Sequence, residues 1–209
     1  MDSQKSEVQE DNLLSQIWFS PKDTLQYIIQ HCPDKYVPVL FCLGGIVRAI
    51  DRASLKDMGD KMSTASIIPM AIIGGGLFGW LTYYLYAWLL SVTGKWLNGR
   101  ASFSILKSVL AWSLVPSLLT LVLLVPQVAL FGDELFKSEP AFQSKVYHII
   151  WIILEFAGVG LSLWSVVILV KGISLVQGFT TGRAITNLFM PALVVVLPLI
   201  ILAVLFRTF

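Results

Sequence analysis

Apolar residues run almost unbroken through four long stretches of this chain, Ile67–Val92, Phe103–Leu130, Val146–Lys171 and Leu188–Phe206. As a helix the first covers about 39 Å, more than the roughly 30 Å of a bilayer's hydrocarbon. Each stretch therefore predicts a membrane-spanning helix. The first two form a hairpin, Ile67–Pro126, around the short polar connector Thr93–Ala101. A fifth stretch, Tyr36–Ile50, reaches only about 22 Å as a helix. It spans if the bilayer thins and Arg48 snorkels, or it dips in and returns; a span is the reading adopted. Asp51–Thr64, with both charge signs interleaved, reads as a solvated loop. Gly75 and Gly79 form a G-x-x-x-G pair, a spacing that lets helices pack closely. Pro116 and Pro126 predict a kink in the third span. Its Ser113, Ser117, Thr120 and Gln127 share a face directed into the bundle.

Ahead of these stretches the pattern is amphipathic. Residues 1–9 read as a disordered polar tail, 10–33 as interfacial helices, and 34–209 as the membrane domain. Leu13, Leu14, Ile17 and Trp18 recur at helical spacing. Ser20-Pro21-Lys22-Asp23 looks like a helix start, with a serine cap and proline at the first position. The helix that follows puts Leu25, Ile28, Ile29 and Cys32 on one face and Gln26, Gln30 and His31 on the other, and Pro33 stops it. Such a helix either lies on the bilayer surface or packs on the loops. The fold expected is an all-α integral membrane protein, a five-helix transmembrane bundle with amphipathic interfacial helices at its N-terminus.

Composition agrees. Hydrophobic residues make up 56% of the 209 and charged residues 13%, against about 45–50% and 25% in soluble domains. A net charge of +2 gives no electrostatic basis for binding nucleic acid. Cys32 and Cys42 form no disulfide framework. The polar N-terminus is not a cleavable signal peptide. Charge leaves orientation open. With five spans, eight Lys and Arg fall on the N-terminal side and seven on the other. If Tyr36–Ile50 does not cross, the count is ten against five, the bias that the positive-inside rule favours.

Glu155 is the sharpest candidate for chemistry. It lies deep in the fourth span, on a stripe of polar or small residues with His148, Trp151, Gly158, Ser162 and Ser165. An ionisable group at that depth costs several kcal/mol unless neutral, paired or hydrated. It therefore faces the interior, either as an ion, proton or solute site or as a protonated carboxyl bonded to a neighbour. Arg48 is a possible partner, and Tyr83, Tyr86, Ser117 and Thr120 are the groups expected near the carboxyl. The connectors pair glycine with cations, Lys95, Asn98 and Arg100 in one and Arg183 in the other, as turn geometry or as loops for a lipid headgroup or partner. No phosphate-binding, zinc-protease or serine-hydrolase motif is present. Ser104–Lys107 matches S-x-x-K only by chance. No catalytic residue, cofactor site or metal site is expected.

Several features resemble the Yip1 family of multi-pass membrane proteins in its short bacterial form. They are Ser20–Leu25, Trp80 with Tyr83-Tyr84, the Gly94–Gly99 loop followed by Ser102-Phe103, Pro116, and Gln177-Gly178-Phe179 with Arg183-Ala184. The resemblance covers roughly residues 13–207. It implies five helices, an N-terminus in the cytoplasm and a C-terminus outside, in the bacterial cytoplasmic membrane. Eukaryotic relatives act in vesicle traffic and contact Rab-type GTPases. This chain lacks their long N-terminal domain and Asp-Leu-Tyr-Gly-Pro signature, so no GTPase partner is expected. The implied partners are lipid and other membrane proteins or a second copy. The expected role is non-enzymatic organisation of lipid or partners; the alternative is a small transporter or channel built on Glu155.

Overall fold

The computed structural model describes residues 12–142 and 144–208, without the side chains of 201, 202 and 206–208; the expected tail 1–9 lies outside them. Among the described residues the secondary structure is helical throughout. Eight α-helices follow in order: α1 (Leu13–Phe19), α2 (Pro21–His31), α3 (Val37–Leu55), α4 (Thr64–Trp96), α5 (Phe103–Ser113), α6 (Val115–Phe131), α7 (Lys145–Gln177) and α8 (Thr181–Thr208). Four stretches of these residues are long and apolar enough to cross a membrane: Thr64–Trp96, Phe103–Glu134, Lys145–Gln177 and Thr181–Leu205. These match the four long apolar stretches of the sequence, with helix ends extended beyond the predicted bounds.

The helices have two gathered ends. At the proximal end lie α2, the connector from α4 to α5, and the turn from α7 to α8. Lys107 pairs with Asp34 at 2.7 Å, and the Ser108 hydroxyl donates to the Pro33 carbonyl. At the distal end, the segment after α3 meets the segment after α6. The Gly59 amide donates to the Phe136 carbonyl at 2.8 Å, and Ser138 donates to Asp60 through both its hydroxyl and its amide. The first turn of α4 is capped from this segment: the Thr64 amide donates to Asp133 at 2.8 Å, satisfying a donor that no intrahelical acceptor reaches. α3 joins the two ends. It is 19 residues long, about 28 Å.

α3 and α4 approach so closely that glycine is required. A Cβ on Gly45 would lie 2.6 Å from the Gly79 Cα, and one on Gly75 would lie 2.5 Å from the Gly45 carbonyl oxygen. Hydrocarbon offers little hydrophobic drive for joining helices, so dense backbone contact of this kind holds them together. The G-x-x-x-G face of α4 is thus a packing face, as its spacing implies, and its partner is α3. Aromatic contacts extend the seam: Phe41 stacks on Tyr83 with centroids 5.2 Å apart, and the Tyr83 hydroxyl donates to the Gly44 carbonyl at 3.1 Å.

The expected kink in Phe103–Leu130 falls beside Pro116: the helix is interrupted at Leu114, two residues before that proline, which sits in the first turn of α6, while Pro126 lies inside α6 without ending it. Three local expectations change. Ser20 makes no side-chain cap on α2; instead the Thr24 hydroxyl donates back to the Ser20 carbonyl at 2.8 Å. Asp51 is not in a loop, because α3 continues to Leu55. α1 and α2 bury Leu13, Ile17, Leu25 and Ile28 in one core with Val109, Leu110 and Ile173, leaving Gln26, Gln30 and His31 exposed.

Candidate functional site

Two polar sites stand out, one at each level of the bundle. The first is a cavity of about 420 Å³ between α3, α6 and α7. Glu155 from α7 and Asp51 from α3 both line it, with Ser54, Thr120, Gln127 and Ser162. The sequence predicted Glu155, Ser162 and Gly158 on an inward stripe, and all three line the cavity. Asp51 was missed because the charged run was read as leaving the helix. Its signal was helical spacing: Gly44, Val47, Asp51 and Ser54 continue one face of α3 beyond Ile50.

The other stripe residues divide. The Ser165 hydroxyl accepts the Ser117 amide at 3.0 Å and joins α7 to α6. His148 and Trp151 instead stack on each other and meet the Phe142 ring at a tilt, with centroids 5.6 to 6.1 Å apart. Arg48 is exposed and is not a lining residue, so the pairing with Glu155 is not formed. Of the four groups expected near the carboxyl, Thr120 alone lines the cavity. The Tyr83 hydroxyl is held by α3, and the Tyr86 hydroxyl donates to the Leu188 carbonyl at 2.8 Å.

The second site is a buried polar lock at the proximal end. The Gln177 side-chain oxygen accepts the Ala101 amide at 3.0 Å. The Asn187 amide group donates to the Thr93 hydroxyl at 2.8 Å and to the Leu90 carbonyl at 3.3 Å. A side chain on Gly94 or Gly99 would run into Gln177. Gly178 ends α7 at φ 71°, the left-handed region that glycine adopts at least cost, and Arg183 donates to the Leu97 carbonyl at 2.8 Å. Two connectors distant in sequence are thereby fastened together. Asn98 takes a left-handed turn at φ 60°, while Lys95 and Arg100 are exposed. Turn geometry accounts for Asn98 and Arg183; Lys95 and Arg100 are exposed cationic groups beside the lock. Among the described residues, no group of three or more His, Cys, Asp or Glu is placed to hold a metal ion.

Long apolar helices, an exposed apolar surface and buried polar ties between them define an integral membrane protein of several helices. The family is shown by a model of the Yip1 domain, which matches residues 15–203, and the chain belongs to that family. No curated protein and no solved structure matches it. The matched span includes both connectors of the lock, and Gly94, Gly99, Gln177, Gly178 and Arg183 of the lock are among the residues that carried the resemblance.

Proposed function

We propose that this is a non-enzymatic, five-span membrane protein that organises lipid or partner proteins, with α3 as the fifth and shortest span. α3 supports this by joining the two ends of the bundle while its glycines are pressed against α4. In that arrangement α1 and α2 lie at the membrane surface on the N-terminal side, with Leu14 and the 89%-exposed Phe19 turned outward. A bacterial cytoplasmic membrane is the location proposed, from the likeness to the short family form.

The observation that carries the organising role is α8. Its first turns hold Ala184 and Asn187 buried, but beyond Pro191 it presents Leu193, Val195, Val196, Leu197, Leu199 and Ile200 outward. A helix with so little packing inside its own chain offers its surface to lipid or to other membrane helices. A second reading, a small transporter, is favoured by the cavity holding Asp51 and Glu155. Proteoliposome flux of H⁺, Na⁺ and K⁺ separates the two. The organising role predicts no difference between wild type and Glu155→Gln; flux that depends on Glu155 would overturn it in favour of transport.

A further inference from the structure

The cavity between α3, α6 and α7 has a chemistry that the organising role does not use. Among the described residues its lining includes two carboxylates, Asp51 and Glu155, and no lysine, arginine or histidine. Asp51 is exposed at the mouth of this cavity and Glu155 is half-buried among its apolar lining. Two carboxylates facing one largely apolar cavity with no cation on its walls favour a cationic occupant, because an uncompensated charge at membrane depth is costly. The two arginines of α3, Arg48 and Arg52, are both exposed, and neither lines the cavity.

Size and shape narrow the cation. About 420 Å³ falls within the range of roughly 300–1,000 Å³ of small-molecule sites, and a bare ion would leave most of it empty. Along α7 the lining runs from Leu154 to Val166, about 18 Å of helix. Asp51, Ser54 and Glu155 lie toward the distal end. Val47, Leu121 and Val166 lie toward the membrane centre. Val159, Leu163 and Val166 are lining residues that are also exposed on the outside of α7, so the cavity opens sideways to where lipid chains lie.

The geometry points to a binding site for an amphiphilic ammonium: its cationic head sits between Asp51 and Glu155, and its alkyl chain runs along Val47, Leu121 and Val166. The site rests on α3 lying within the bilayer. It adds a ligand class to the organising role, and it requires binding without transport. Two sources share this chemistry, an amine-headed membrane lipid and a foreign cationic amphiphile.

The test uses the full chain in maltoside micelles and a dodecylammonium probe with a fluorescent tail, read by anisotropy. Wild type is expected to bind it saturably and at least tenfold more weakly after Glu155→Gln or Asp51→Asn. Glu139→Gln, outside the cavity, should change nothing. Gly158→Leu fills the cavity without touching either acid. A Cβ there meets only the Thr120 methyl at 3.8 Å, so the helix tolerates it, and binding should be lost while the size-exclusion profile is kept. Displacement of the probe by lysophosphatidylethanolamine assigns the site to an amine lipid. Displacement by dodecyltrimethylammonium alone assigns it to foreign amphiphiles. Equal binding by wild type and all three cavity variants, or equal binding of an uncharged dodecyl probe with the same tail, would overturn the proposal. Failure here leaves the flux result untouched, so the two readings fall separately.

Discussion

At Gly45 the difference between two backbones and one methyl group decides whether α3 can sit on α4. Adding a Cβ forces it against the Gly79 backbone, which cannot rotate away. Gly45→Ala should therefore cost about 1–3 kcal/mol, as overpacking does. Gly74, one residue before the contact, has nothing within 4 Å of its Cβ direction. Gly74→Ala should be neutral or stabilising by up to about 1 kcal/mol through helix propensity. Reversible unfolding in mixed micelles measures both. A second residue-scale prediction concerns the lock. Gln177→Leu leaves the buried Ala101 amide without its acceptor, at a cost of about 1–3 kcal/mol, read in the same assay. The sequence displayed Gly94, Gly99 and Gln177 but not their contact, since a glycine needed for close approach looks identical to one needed for a turn.

Among the elements, the distal clamp joins the segment after α3 to the segment after α6. Two hydrogen bonds from Ser138 hold the Asp60 carboxyl below the ordinary carboxylate range, helped by the nearby cations Lys137 and Lys61. A hydrogen bond to Glu134 holds the Lys137 ammonium above its ordinary value. The signs follow from linkage. The Asp60 contribution is full above its unfolded pKa of about 3.9 and is lost as the pH falls through the lower folded value. The Lys137 contribution is full below about 10.4 and is lost as the pH rises through the higher folded value. Wild type should therefore lose more thermal stability than Asp60→Asn as the pH falls from 5 to 3, and the two should fall in parallel if the clamp does not form. Asp60 is exposed and Lys137 partly so, and salt should therefore weaken the difference. Helix existence was legible from apolar periodicity, but the length of α3 was not. The charges at Asp51 and Arg52 resemble a loop, and only contact with the cavity and with α4 explains why the helix continues to Leu55.

For the whole molecule, the sequence yielded the membrane class, the four long helices and the family, because long apolar runs and ordered connector residues are local signals. It did not yield which helices face each other. The Gly75/Gly79 spacing marks a packing face without naming its partner, which is α3, and Asp51, not the candidate Arg48, shares the cavity with Glu155. Such pairings depend on long-range packing that a periodic pattern does not encode. The lysine and arginine count, near-equal for five spans, also fails to choose a topology. The packing is the ground on which five spans are proposed: α3 begins beside Lys107 and Ser108 and ends beside Phe136, at opposite ends of Phe103–Leu130. The most direct measurement is sided labelling with a membrane-impermeant maleimide, in a background with Cys32→Ser and Cys42→Ser. Single cysteines replace Lys22, Lys95, Lys56 and Glu139. Five spans predict that Lys22→Cys and Lys95→Cys label from one side of sealed vesicles, and Lys56→Cys and Glu139→Cys from the other. Labelling of Lys22→Cys and Lys56→Cys from the same side would show that α3 does not cross and would contradict the account.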